Sequence, residues 1–149
     1  MLPDLAFDIQ SLKKTYADRI KPYDIIREAY QRIKTLDDAG IFLALRDEAA
    51  VIEEAEKLGC KPINSKPLWG LPFAIKDNID AGGLPPTAGC PAFSFTPAKD
   101  ACLVARLREV GARVIGKTNM AIDSIYWGMD LANTTEALYR FYTQDLHQH

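Results

Sequence analysis

Histidine is nearly absent from this 149-residue chain. His147 and His149 are its only two, at the extreme C-terminus, where side chains are seldom held rigidly. A histidine-based catalytic triad is therefore not expected. Cysteine is scarce as well. Cys60, Cys90 and Cys102 make an odd count with no C-x-x-C spacing, which argues against a disulfide framework and against zinc. No apolar run approaches the ~20 residues needed to span a bilayer, so no membrane partner is expected. The opening M-L-P-D-L-A-F-D has neither a basic n-region nor a long apolar stretch, and does not read as a secretory signal. The expected location is cytoplasmic, and without a secretory route the sequon Asn133-Thr134-Thr135 carries no weight. A large excess of one charge is missing too. The net charge is −2, which gives no basic surface for nucleic acid.

What remains is the composition of one globular domain, 48% hydrophobic and 26% charged. Its first third reads as three amphipathic helices. After Asp8, a candidate N-cap, Ile9, Leu12, Tyr16 and Ile20 recur at helical spacing. Pro22 interrupts. Asp24 is the candidate cap of a second helix, with Ile25, Ile26, Ala29, Ile33 and Leu36 on one face and an end near Gly40. A third runs from about Asp47 to Leu58 and stops at Gly59. Each apolar stripe is narrow, so the three predict a helical layer lying on something else.

The character changes after the turn-rich stretch 60–72. Phe73-Ala74-Ile75-Lys76 is a short, nearly apolar run, consistent with a buried strand. A loop rich in glycine and proline follows. Asp100 to Val110 predicts a helix that buries Cys102, Leu103, Leu107 and Val110, with Arg106, Arg108 and Glu109 outside and Gly111 as its stop. Arg113-Val114-Ile115-Gly116 reads as a second strand. Strand, loop, helix and strand in this order predict a crossover unit of a parallel sheet, with the two strands neighbours or near-neighbours.

Gly111–Thr118 satisfies the phosphate-loop pattern G-x-x-x-x-G-K-S/T letter for letter. The context does not. A phosphate loop follows a strand and opens a helix, so that its amides converge on phosphate. Here the first glycine ends a helix and the central residues look like strand. No nucleotide is expected, and Lys117 is read as a structural residue leaving a strand.

Lys76 is the more informative lysine. It alternates with Ala74 along a strand whose two faces should both be covered. An ammonium buried there is costly unless paired or employed, and burial would make a lysine a usable base. The alternative is that the side chain simply reaches solvent from the strand's end. Ligands of open α/β sheets do bind beyond the carboxyl ends of strands. A Schiff-base enzyme using Lys76 is a third, weaker reading.

The stretch G-L-P-F-A-I-K-D-N-I-D-A-G-G-L-P-P-T-A-G-C-P-A-F, with V-I-G-K-T-N-M after the helix, resembles the N-terminal half of the amidase-signature enzymes. The resemblance covers roughly residues 8–120. Within that family, D-N-I-D with T-A-G-C-P-A-F is most similar to the allophanate hydrolases, which act after urea carboxylase. It implies an α/β fold, the N-terminal part of the amidase-signature architecture: a helical layer plus part of a mixed sheet. It also implies hydrolysis of a carbon–nitrogen amide bond by a Ser–cis-Ser–Lys triad, with a small amide or urea-derived substrate and no cofactor or metal. Lys76 matches the catalytic lysine. Asp77 and Asn78 match a polar pair that supports it, and Thr87, Ala88 and Gly89 match a loop passing close to the active site.

The match fails after Met120. The family continues with an Asp-x-Phe stretch and a glycine- and serine-rich segment that carries both triad serines. Here Ser124 is the only serine after Ser94, and nothing around it resembles a nucleophile turn. Residues 1–120 are thus expected to be the amidase part and 121–149 a divergent tail, as from a truncation or frameshift, with one weak helical pattern around Leu131, Ala137 and Leu138. The expectation is an amidase homologue inactive as this chain. The other reading is a non-catalytic interaction module that associates through exposed sheet edges.

Overall fold

The computed structural model describes residues 5–36, 40–59, 66–87, 92 and 95–119. Cys60, Cys90, Gly89, both histidines, Ser124 and the tail after Asn119 lie outside that set. Helix α1 (Ile9–Ala17) begins where the sequence indicates. Asp8 Oδ1 accepts from the amides of Gln10 and Ser11 at 2.8 and 2.9 Å, satisfying donors that the first turn leaves open. Helix α2 (Pro22–Leu36) begins two residues before Asp24. Pro22 takes the first helical position, where its missing N–H costs nothing. Asp24 is therefore inside the first turn, and its carboxylate reaches back to the amide of Lys21 at 3.2 Å, as the third helical residue of a capping box does. Helix α3 (Glu48–Glu56) is capped by Asp47, whose Oδ2 accepts from the Ala50 amide at 2.9 Å.

Between α2 and α3 runs a strand the sequence reading lacked, β1 (Phe42–Leu45). It is followed in the chain by β2 (Pro72–Lys76), α4 (Cys102–Glu109) and β3 (Arg113–Thr118). The sheet order is β1-β3-β2, with β2 parallel and β1 antiparallel to β3. The two expected strands are thus immediate neighbours, joined through the expected helix. Two cores flank the sheet. Leu12, Tyr16, Ile25, Ile26, Val51, Trp69 and Ile115 join α1–α3 to one side. Ile75, Ala81, Leu84, Val104 and Val114 form the other, beneath α4. Tyr16 stitches the helical layer to the turn before β2 by donating to the Gly70 carbonyl at 2.7 Å.

Helix α4 corrects its expected face. Val104 is its buried residue, while Cys102 and Leu103 are exposed. Arg108 is not simply outside, because it turns to Asp100 at 3.1 Å. The second core contacts the helix through Ala101 and Val104, and that contact, not the widest apolar stripe, sets its rotation.

The phosphate-loop pattern resolves into structural duties. Gly111 has φ +100° and ends α4; a Cβ there would lie 2.8 Å from the backbone of Trp69. Gly116 sits in the middle strand, where a Cβ would meet the Ala44 carbonyl oxygen at 2.6 Å and Leu45 Cδ2 at 2.9 Å. From Arg113 on the chain is strand, paired with β2 from its start and with β1 from Gly116 to Thr118. Gly116→Ala should therefore push β1 from β3. The expected loss is about 1–3 kcal/mol, the usual range for overpacking, read as a lower guanidinium midpoint at unchanged slope. An unchanged midpoint would mean that β1 does not need this close approach.

Candidate functional site

Lys76 is the last residue of β2, in register with Thr118 of β3. It is half-buried, so of the two readings the sequence left open, a lysine sunk into a covered face and one that reaches out from the strand's end, the first is not met in full. The reason is its place at the strand's end, where the chain turns away. The backbone closes a tight turn at once, with the Ile79 amide donating to the Lys76 carbonyl at 3.0 Å.

The lysine that is sunk is Lys117. It lies within β3 and is wholly buried, not leaving the strand as the sequence suggested. Its Nζ donates to the Asp77 carbonyl at 3.2 Å and to the Ile79 carbonyl. Burial holds its pKa below the ordinary lysine value, while the charges of Asp77 and Asp80 pull the other way. Lys117 remains a structural residue, though with a more specific task than the sequence showed.

Asp77 is also fully buried. Its Oδ2 accepts from both the amide and the hydroxyl of Thr87, at 2.9 and 2.6 Å. Two donors on one oxygen bind the loop after β2 back to the strand end. The loop has further anchors: the Gly82 amide donates to Asp100 Oδ1 at 2.6 Å, and the Ala101 amide to the Asp80 carbonyl at 2.9 Å. Of the residues expected at the site, Asp77 and Thr87 are brought into contact, Lys76 precedes Asp77 at the end of β2, Asn78 is exposed, and Gly89 lies outside the described residues. Lys117 is the one the sequence reading set aside. Its only cue was a charged residue within the otherwise apolar run Val114-Ile115-Gly116-Lys117. Among the described residues no cluster of histidine, cysteine and carboxylates could hold a metal ion, and no helix is long and apolar enough to cross a membrane.

Comparison with known proteins points one way. The family model described as Amidase matches residues 24–130. A urea amidolyase of Lachancea kluyveri is 38% identical over 99 residues, covering 66% of this chain and 5% of that protein. A glutamyl-tRNA(Gln) amidotransferase subunit from Nitratidesulfovibrio vulgaris is 42% identical over 104 residues, covering 68% of this chain and 21% of the relative. Among solved structures, the allophanate hydrolase of Kluyveromyces lactis superposes with a TM-score of 0.61 at 32% identity, covering 75% of this chain and 19% of that one. The chain thus spans about a twentieth to a fifth of the length of the proteins it matches.

The Asp77–Thr87 contact can be tested directly. Thr87→Val keeps the shape and removes the hydroxyl donor. The expected loss is about 1.5–3 kcal/mol, the range for a hydrogen bond to a charged group, with faster amide exchange across residues 81–87. Native stability and exchange in the valine variant would show that the hydroxyl does not hold this loop.

Proposed function

The chain belongs to the amidase family, and from that premise we propose that it supplies the base of an amide-hydrolysing site of allophanate hydrolase type. The observation that carries the reading is the position of Lys76. It stands at the carboxyl end of a parallel strand, where α/β sheets bind ligands, beside a loop tied down through Asp77 and Thr87. The substrate class is a small amide or urea-derived compound. In the Ser–cis-Ser–Lys scheme the neutral amine of Lys76 takes a proton from a bridging serine, which takes one from the nucleophilic serine as that oxygen attacks the amide carbonyl. The nitrogen leaves as ammonia with the returned proton, and water then cleaves the acyl-serine ester. Asp77 and Thr87 do not react in this scheme. They fix the loop over the strand end.

In that scheme both serines belong to a glycine- and serine-rich segment, and residues 121–149 hold one serine, Ser124, and one glycine, Gly128. Residues 1–149 alone are therefore proposed to be inactive. The test has two arms. The purified chain should release no more ammonia from allophanate or simple amides than its Lys76→Ala variant does. Joined in one polypeptide to the serine-bearing remainder of the Kluyveromyces lactis allophanate hydrolase, residues 8–119 should support turnover. In that chimera Lys76→Ala should lower the rate by about 10²–10⁴-fold, the usual worth of a general base. Lysine-dependent turnover by residues 1–149 alone would overturn the inactivity. A folded, active chimera indifferent to Lys76→Ala would overturn the assignment of the base.

One observation favours a second reading, a non-catalytic interaction module. Leu43 and Leu45 of the edge strand β1 are each 41% exposed. An apolar strand at a sheet edge is a template for pairing with another chain. This reading expects a homo-oligomer by light scattering at micromolar concentration, and Leu43→Lys with Leu45→Lys should return it to monomer. A monomer across that range would remove the reading.

A further inference from the structure

We propose that Lys117 is a positioning residue, whose side-chain nitrogen fixes the Lys76–Ile79 turn from beneath and so sets where the Lys76 amine stands. The inference rests on the reading of Lys76 as the base. The turn closes through one hydrogen bond of its own, from the Ile79 amide to the Lys76 carbonyl. That bond leaves the carbonyls of Asp77 and Ile79 to find donors elsewhere, and a buried carbonyl without one is costly. Lys117 supplies both.

Two further bonds come from the next residue of β3. The Thr118 carbonyl accepts from the Asp77 amide at 3.0 Å, and the Thr118 hydroxyl donates to the Ile75 carbonyl at 3.4 Å. Four hydrogen bonds from two successive residues therefore bracket Lys76. They hold the residue before it and the turn after it, and β3 is itself fixed between β1 and β2. A neutral apolar residue would fill the same space, but it would release two of these bonds on the side where the chain departs. A buried ammonium is an expensive way to fill a core. Donation to the turn that carries the base gives a local reason for it.

The test uses the 149-residue chain and does not depend on turnover. Lys117→Met removes the donor at similar volume, and Lys117→Gln keeps a donor on a shorter arm. Two quantities are read in each folded variant: amide exchange along the chain, and acylation of Lys76 by a water-soluble activated ester from about pH 7 to about pH 11, quantified by peptide mass spectrometry. In Lys117→Met, exchange at Asp77 and Ile79 should rise about five- to tenfold, the loss of roughly one hydrogen bond. Amides of Ile25–Ala29 should change less than about twofold. The Lys76 acylation curve should move along the pH axis, and Lys117→Gln should bring it part of the way back.

A Lys76 curve that matches the native one in the folded variants overturns the proposal. So does a uniform rise in exchange across the fold, or failure of both variants to fold, because each marks Lys117 as general support. If only the glutamine variant folds, a native curve in it overturns the proposal and a shifted one supports it. An inactive chimera would count against the amidase reading and leave these readouts untouched. A native acylation curve would remove Lys117 and leave Lys76 as the base.

Discussion

The middle strand has no side to spare. β3 is paired along both edges, by β1 and by β2, and packed on both faces. Its backbone donors and acceptors serve the two ladders, which excludes the inward-turned amides that a phosphate loop needs. Its side chains must fit a space bounded by strands and helices. Both constraints fall on Gly116-Lys117. The glycine is there because β1 passes within a Cβ's reach. The lysine is there with its charge spent on carbonyls of the neighbouring turn. A pattern that suggests nucleotide binding is thus the product of close strand packing and one buried donor.

The two lysines divide the work by position. Along β2 and β3 they are one register step apart, since Ile75 pairs with Lys117 and Lys76 with Thr118. One step is enough to separate them. Lys76 stands where its strand ends and remains half-buried. Lys117 is enclosed and can meet only protein. This difference in burial fits the roles proposed for them, a base that must reach its substrate and a brace that solvent must not reach.

Much of the fold was legible because it is written locally. Asp8 and Asp47 announce helix starts by capping chemistry, and the β2–α4–β3 order follows from periodicity and from Gly111. Local capping even misled at Asp24, where the proline two residues earlier had already begun the helix. β1 was not legible. Phe42-Leu43-Ala44-Leu45 is four residues long, and a run that short cannot be assigned by period alone. Its loss propagated. Without β1, nothing pairs the far edge of β3, and Lys117 reads as a residue leaving a strand and not as one enclosed in it. The burial of Lys117 is therefore a tertiary fact, at which the apolar run before it only hints. The same holds for α4, whose rotation was set by the second core and not by its own stripe. At the site, Lys76 was marked by its place on a strand as well as by a family resemblance, while Asp77 and Thr87 were legible only through the resemblance. Nothing in their spacing announces that a carboxylate will be met by a hydroxyl ten residues on.

The exposed surface is as uneven as the buried one. The side facing α1–α3 is closed by the larger core, which includes Trp69 and Tyr16 in edge-to-face contact at 5.0 Å. Among the described residues, the other side rests on one eight-residue helix whose Leu103 is 56% exposed, and β1 turns Leu43 and Leu45 outward. Fully covering an exposed leucine is worth about 1.5–3 kcal/mol, and these three, each already about half covered, would return roughly half of that apiece, which association must set against its own entropic cost. These leucines lie on a chain that spans about a fifth of its solved relative. On the proposed reading of Lys76 as a base, its strand end and the turn behind it are one part of a site, since a base acts only on a proton held within hydrogen-bond reach.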